Sequence, residues 1–307
     1  FDNKYPYKQK KYYNTKWAKD GFGIYPNGKI ELSMGIQNHK RQAPIVLHIA
    51  KVPEGEIKEI ELIYDRGLQI SLSYEDKAAI GINHGLNLAA IDPGEIHSIA
   101  AVCENQNGII ITGRKIRSIK RLRNKKLAEL QRKMSNCQKG SRQWKKYHRA
   151  KQYLLSKSDA QIKDAVHKTT KNFVKWCLEN EVKHVVIGDV EGVQRNTSKR
   201  KKKNQKIKSK LVNQKLSQWQ FGLIYTYLVY KLAVFGITIS KENERYTTQQ
   251  CPCCGKKKKP SSRNYKCQCG YQEHRDIHGA KNLLSRYKYG EITDIGKILQ
   301  TKYLRVA

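Results

Sequence analysis

Acidic residues are scarce in this chain. Its 307 residues hold 61 Lys and Arg against 26 Asp and Glu, a formal net charge of +35. A surface this one-sided repels itself unless it meets a polyanion. Phosphate neutralisation by Lys and Arg makes nucleic acid the leading partner, with an anionic membrane as the alternative. Long apolar runs are also missing. None approaches the ~18 residues of a membrane-spanning helix, and no signal-peptide pattern opens the chain. We therefore expect a soluble, intracellular protein with no membrane partner. Cysteine is thin outside one cluster: Cys103, Cys137 and Cys177 are scattered and read as small buried hydrophobes. An initiator Met is absent too. The sequence enters abruptly at Phe1, and we expect residues upstream of it.

Residues 20–78 carry strand and turn signals. Asn27-Gly28 in YPNGKIELSM marks a hairpin turn, and PIVLHIAKV, EIKEIELIYD and GLQISLSYE continue the alternation. A small antiparallel barrel or sheet of about four to six strands fits this pattern. The grammar changes at residue 88. LAAIDPG is a short apolar strand ending in Asp92, and two more strands follow through residue 113. Residues 115–180 read as helix dense in Lys and Arg, followed by a strand at 182–190. A basic low-complexity run occupies 198–210, and an amphipathic helix over 214–235 ends at Gly236. ITISKENE adds a strand, and a last helix falls near 278–287. The order βββ–α–β–α–β–α predicts an α/β, RNase H-like fold.

Three constellations carry chemistry. Asp92 sits where an interior strand reaches the surface before Pro93-Gly94. A carboxylate there suits Mg²⁺, a hard cation that prefers oxygen, although an Asp before Pro also simply forms turns. Cys251 and Cys254 stand in C-x-x-C spacing, Cys267 and Cys269 in C-x-C spacing, and each pair is followed by glycine, Gly255 or Gly270. Four thiolates from two tight knuckles suit a structural, tetrahedral Zn²⁺, with Cys253 a bystander. Asp276 opens a helix whose apolar side is Ile277, Ala280, Leu283 and Leu284. An acid at a helix start is often a cap, yet sheet packing can also bring it beside Asp92.

Together, IDPG at 91–94, HVVIGDV at 184–190, CPCCG and CQCG, and HRDIHGAKN at 274–282 resemble TnpB-type proteins. These are RNA-guided nucleases of insertion sequences, related to Fanzor proteins and type V CRISPR effectors. The similarity covers about residues 20–287. It implies a wedge-type β-barrel over 1–85, partial because a helical insert belongs upstream. It implies a RuvC nuclease domain over 86–248, a zinc ribbon at 249–272, and the RuvC C-terminal part with a tail at 273–307. The implied function is RNA-guided DNA cleavage by two Mg²⁺ ions, with guide RNA and target DNA as partners. The oligomeric state is not implied. Asp92 and Asp276 match two of the family's three metal-binding acids.

The family's third acid is commonly a Glu at the position of Gly188. Three replacements are open: Asp189, Glu191 and Glu244, whose strand parity Glu242 shares; the remaining option is a nuclease-inactive, RNA-guided DNA-binding repressor. Asp189 and Glu191 face away from the place of residue 188 while the strand continues. Glu244 ends a strand expected to lie about 4.8 Å away, within reach of one side chain. Fanzor-like members resemble this arrangement, so Asp92, Glu244 and Asp276 form the expected site.

The 114–158 stretch is strongly basic, with Leu122, Leu127 and Leu130 as its apolar stripe. It is expected to face a polyanion, which by resemblance is the guide–target heteroduplex. The aromatics of the 214–235 helix are expected to pack in the core.

Overall fold

A computed structural model describes residues 13–76, 80–190, 214 and 219–306. The chain divides into two units between residues 79 and 80. The first is all β: β1 (Thr15–Ala18), β2 (Phe22–Ile24), β3 (Lys29–Leu32), β4 (Ile36–Gln37), β5 (Lys40–Arg41), β6 (Ile45–His48), β7 (Glu56–Tyr64) and β8 (Leu68–Glu75). They form two three-stranded antiparallel sheets, β1-β7-β8 and β2-β3-β6, and a short β4-β5 ladder. Gly28, at φ +80°, makes the expected hairpin turn, in which its N–H donates to Tyr25 O at 2.9 Å. Trp17, Ile30, Leu32, Ile57 and Ile60 form one core for both sheets. Among the described residues no ladder joins the two sheets into a closed barrel. The strands are shorter and more numerous than the alternation suggested, because tight turns interrupt it.

The second unit is α/β. Its elements are β9 (Asn87–Asp92), β10 (His97–Cys103), β11 (Asn107–Thr112), α1 (Arg114–Ser135), α2 (Arg142–Glu179), β12 (Val182–Asp189), α3 (Phe221–Ala233), β13 (Thr238–Asn243), β14 (Asn264–Lys266), β15 (Gln272–His274), α4 (Arg275–Tyr289) and β16 (Gln300–Arg305). The main sheet has six strands in the order β13-β12-β9-β10-β11-β16. Strands β9, β10 and β11 are antiparallel neighbours, whereas β12 runs parallel to β9 and β13 parallel to β12. Strand period two sends successive side chains to opposite faces. Ala89, Ile91, Val185 and Ile187 accordingly pack under α2 and α3, against Phe173, Trp176 and Leu228. Their neighbours Ala90 and Val186 pack under α4, against Ile277, Ala280, Leu283 and Leu284.

The helical stretch is two helices rather than one, broken at residues 136–141. Ser141 caps the second by accepting a hydrogen bond from Trp144 N at 3.2 Å. Gly236 ends the turn after α3 at φ +67°, where a Cβ would stand 2.4 Å from Gly81 O. The 198–210 run and most of 214–220 lie outside the described residues. Strand β16 was read from sequence as tail. It joins β11 in parallel at the sheet edge, and its mostly exposed side chains gave little apolar signal.

Candidate active site and cysteine cluster

Parallel strands end at a common edge. Strands β9, β12 and β13 therefore bring Asp92, Gly188 and the residue after Asn243 to one side of the sheet. The register pairs Ile187 with Ile91 and Gly188 with Glu242. Strand β13 stops at Asn243, so Glu244 is the first residue beyond it. Its backbone is held from both sides: Arg286 of α4 donates to Asn243 O at 2.7 Å and to Arg245 O at 2.8 Å.

The Glu244 side chain lies over Gly188. A Cβ at 188 would meet Glu244 Oε2 at 2.8 Å, Glu244 Cβ at 3.4 Å and Pro93 Cδ at 3.4 Å. The glycine thus leaves the space that the neighbouring strand's carboxylate takes up. Burial first, and the charge of Asp189 second, push the Glu244 carboxyl up to about 7. Asp189 acts on Glu244 through its charge, and Glu191 lies outside the described residues. Glu242 pairs across from Gly188 in the ladder, and its carboxylate accepts from the N–H of Asn243 at 3.1 Å.

Asp92 rests on a second glycine. A Cβ at Gly279 of α4 would stand 2.3 Å from Asp92 Oδ2. Burial raises the Asp92 carboxyl well above the usual range; the charges of Glu244 and Asp276 add to this, and Arg275 opposes it. Asp276 is in the first turn of α4 and does not cap it. Its carboxylate turns inward to His97 Nδ1, 2.6 Å away, with Arg275 at 3.5 Å and Arg263 at 3.8 Å. Burial pushes the Asp276 carboxyl up, but the His97 hydrogen bond and the charge of Arg275 outweigh it and hold the group below its ordinary value.

All three predicted acids therefore lie together, coupled through Asp92 and Asp276 on one side and Asp92 and Glu244 on the other. Their oxygens do not form a set within 4.8 Å of one another. Two carboxyls raised chiefly by burial, with neighbouring acidic charges adding, form a donor set that an oxygen-seeking cation would relieve. Sequence reasoning missed His97, His274 and Arg286. The ligand atoms of His97, His274 and Asp276 all lie within 4.8 Å of one another, and His274 Nδ1 is buried without a hydrogen-bond partner. A lone His opening the buried strand HSIAAVC was the available signal.

The cysteine cluster assembles as the spacing predicted. Cys251 Sγ lies 3.5 Å from Cys269 Sγ, Cys254 Sγ lies 3.5 Å from Cys267 Sγ, and all four sulfurs fall within 4.8 Å of one another. Gly255 and Gly270 take φ +71° and +93°, and their N–H groups donate back to Cys251 O and Cys267 O. Such a closed set of four sulfurs can hold Zn²⁺. Cys253 is outside it, with its thiol on Asp294 at 3.6 Å. The ribbon is fastened to the helix that carries Asp276. Tyr265 stacks on His278 at 4.0 Å, and Asn282 Nδ2 donates to Thr247 O and Gln250 O at 2.7 and 2.8 Å.

The aromatics of α3 are divided. Phe221 is buried in the core, Trp219, Tyr225 and Tyr227 pack against it, and Tyr230 is exposed. No helix among the described residues is long and apolar enough to cross a membrane.

Comparisons with known proteins agree with these motifs. Residues 81–194 match a family described as "Probable transposase", and residues 221–283 match "Cas12f1-like, TNB domain". The chain is similar to the TnpB-like protein MJ0751 of Methanocaldococcus jannaschii, 25% identical over 65% of this chain and 69% of the relative. It is similar also to the "Putative RNA-guided DNA endonuclease InsQ" of Escherichia coli K12, 26% identical over 70% of this chain. The chain spans about half, 53%, of that relative's length. In fold it resembles a solved CRISPR-Cas12f ternary complex at a TM-score of 0.50 and 14% identity, covering 92% of this chain and 65% of that one. A Cas12f1–sgRNA–target DNA complex aligns at 0.48 and 16% identity, over 83% of this chain and 66% of that one.

Proposed function

The chain belongs to the TnpB-type family, and from that premise we propose that it is an RNA-guided DNA endonuclease with a RuvC-type site of Asp92, Glu244 and Asp276. Its partners are then a guide RNA and a base-paired target DNA, by analogy with the relative named an RNA-guided DNA endonuclease. On this reading the first unit is the wedge-type domain, its two sheets the open counterpart of the expected partial barrel, residues 86–248 and 273–307 are the nuclease domain, and 249–272 is a zinc ribbon. The observation that carries the reading is the Glu244 carboxylate lying over Gly188, beside the strand that ends in Asp92. It supplies a third acid where the family's usual position has none.

Asp92, Glu244 and Asp276 would hold two Mg²⁺ ions, which supply charge stabilisation at the attacking and leaving oxygens of a phosphodiester. The residues of this chain do the rest. Gly188 and Gly279 give the two raised carboxyls their places. His97 fixes Oδ2 of Asp276, and Arg275 lies 3.5 Å from its Oδ1. Arg286 holds the chain on either side of Glu244. Cys251, Cys254, Cys267 and Cys269 would hold a structural Zn²⁺ that keeps the ribbon, and through Tyr265 and Asn282 the helix of Asp276, in place.

The test is plasmid cleavage by the full-length protein purified with its co-expressed RNA. Mg²⁺-dependent cutting lost in Asp92→Ala supports the reading. Guide-dependent binding without cutting under any metal would instead establish a binding protein that has lost the nuclease.

A further inference from the structure

A cleft of about 680 Å³ opens between the turn after Asp92, the first half of α1 and the residues that lead into α3. It is separate from the carboxylate cluster but begins at Gly94, two residues beyond Asp92. Its α1 wall is one helix face: Arg114, Arg117, Lys120 and Arg121 recur at helical spacing. Among the described residues the only acid in its lining is Glu95, already paired with Arg117 at 2.9 Å. Trp219, from the residues that lead into α3, lines the same cleft.

Lys120 decides what the cleft is for. Its side chain is only 9% exposed, yet its ammonium has no hydrogen-bond or ion-pair partner among the described residues. Burial pulls its pKa down to about 8, with the charge of Arg123 adding and that of Glu95 opposing. Glu95 is itself paired with Arg117, and a buried cation with no ion-pair partner of its own is costly and is retained where an anion completes it. The start of α1 adds to the field. Its first turn holds no acid and no side-chain cap, so the positive end of the helix faces the same space. Cations along the helix and an indole in the same cleft match a nucleotide, with the phosphate on the helix and the base against the ring.

We propose that this cleft seats one nucleotide of the single DNA strand that is delivered to Asp92, Glu244 and Asp276, with its phosphate on Lys120 and its base against Trp219. This rests on the nuclease reading for the strand's destination, but not for its binding. Binding needs neither a cation nor cleavage.

The test measures the affinity of the full-length protein for fluorescein-labelled oligo(dT) without divalent metal, across a salt series. Lys120→Met keeps the apolar stem and removes the charge. It should weaken binding about tenfold and lower the slope of log K against log salt by about 0.7, the share of one phosphate contact on a single strand. The melting temperature should hold or rise, because an uncompensated buried cation has gone. Trp219→Leu should weaken binding at least about fivefold, the lower end of one base–ring stack. Lys175→Met near the end of α2, outside both the cleft and the basic 114–158 stretch and paired with Glu179, is the control and should change binding less than twofold. Equal losses in Lys120→Met and Lys175→Met, or no loss in either cleft variant, overturn the proposal; so does binding of oligo(U) with none of oligo(dT). Wild type that cuts its target while the cleft variants bind normally refutes the cleft alone. Wild type that binds through Lys120 but never cuts refutes the nuclease reading alone.

Discussion

Glu244→Gln sets stability and activity against each other. In the metal-free protein the Glu244 carboxyl is raised from its ordinary 4.5 to about 7, chiefly by burial. A raised carboxyl means that the folded state binds the proton more tightly than the unfolded one. Stability from this group is therefore full below about pH 4.5 and falls as pH rises to about 7. At about 1.36 kcal/mol per pH unit the whole span is about 3 kcal/mol. Glu244 keeps some exposure, so solvent screening brings this to about 2 kcal/mol. The neutral amide has no such dependence. Glu244→Gln should be more stable than wild type by about 2 kcal/mol at pH 8 in a chelator that spares the ribbon, and equal to it near pH 4.5. Urea unfolding at the two pH values measures this. Cleavage should move the opposite way. Losing a ligand to a cation whose charge stabilisation is several kcal/mol costs about 10²- to 10³-fold in single-turnover rate. A Glu244→Gln variant that is less stable than wild type at pH 8, or that cuts at the wild-type rate, would refute the reasoning.

Other perturbations separate the parts of the site. Gly188→Glu combined with Glu244→Ala should restore a measurable part of the cleavage that Glu244→Ala loses, because a side chain at 188 projects into the space Glu244 vacates. His97→Phe should raise the Mg²⁺ concentration for half-maximal cleavage about 10- to 100-fold, as loss of a ligand's hydrogen-bond partner does, and His97→Asn should recover most of it. Cys254→Ser should abolish stoichiometric zinc in elemental analysis and lower cleavage without weakening guide RNA binding, since the ribbon is fastened to α4. Gly236→Ala should destabilise the protein by at least about 2 kcal/mol in denaturant unfolding, because its φ of +67° and the 2.4 Å approach to Gly81 O leave no room for a methyl group.

The parts legible in the sequence are those with local grammar. Strand alternation placed LAAID and HVVIGD in the sheet, and cysteine spacing with two following glycines placed the quartet. Strand spacing, with the family resemblance, made Glu244 the leading candidate to reach over Gly188; its side chain lies over that glycine, two residues beyond the Glu242 that the register pairs with it. What stayed hidden depends on contacts between distant segments. His97 meets Asp276 across 179 positions, and Arg286 reaches Asn243 across 43. Neither pairing leaves a local pattern. Lys120 was invisible for a different reason. In a stretch this basic, one lysine looks like the rest until the fold shows which of them is buried.

The most direct measurement is single-turnover cleavage of a matched plasmid by the RNA-loaded, full-length protein in Mg²⁺, comparing wild type, Asp92→Ala, Glu244→Ala, Asp276→Ala and Asp189→Ala. The account predicts cutting by wild type and by Asp189→Ala, and loss in the other three with guide and target binding intact. Cutting by Glu244→Ala at the wild-type rate, or a wild type that binds its target and leaves it whole, would contradict it.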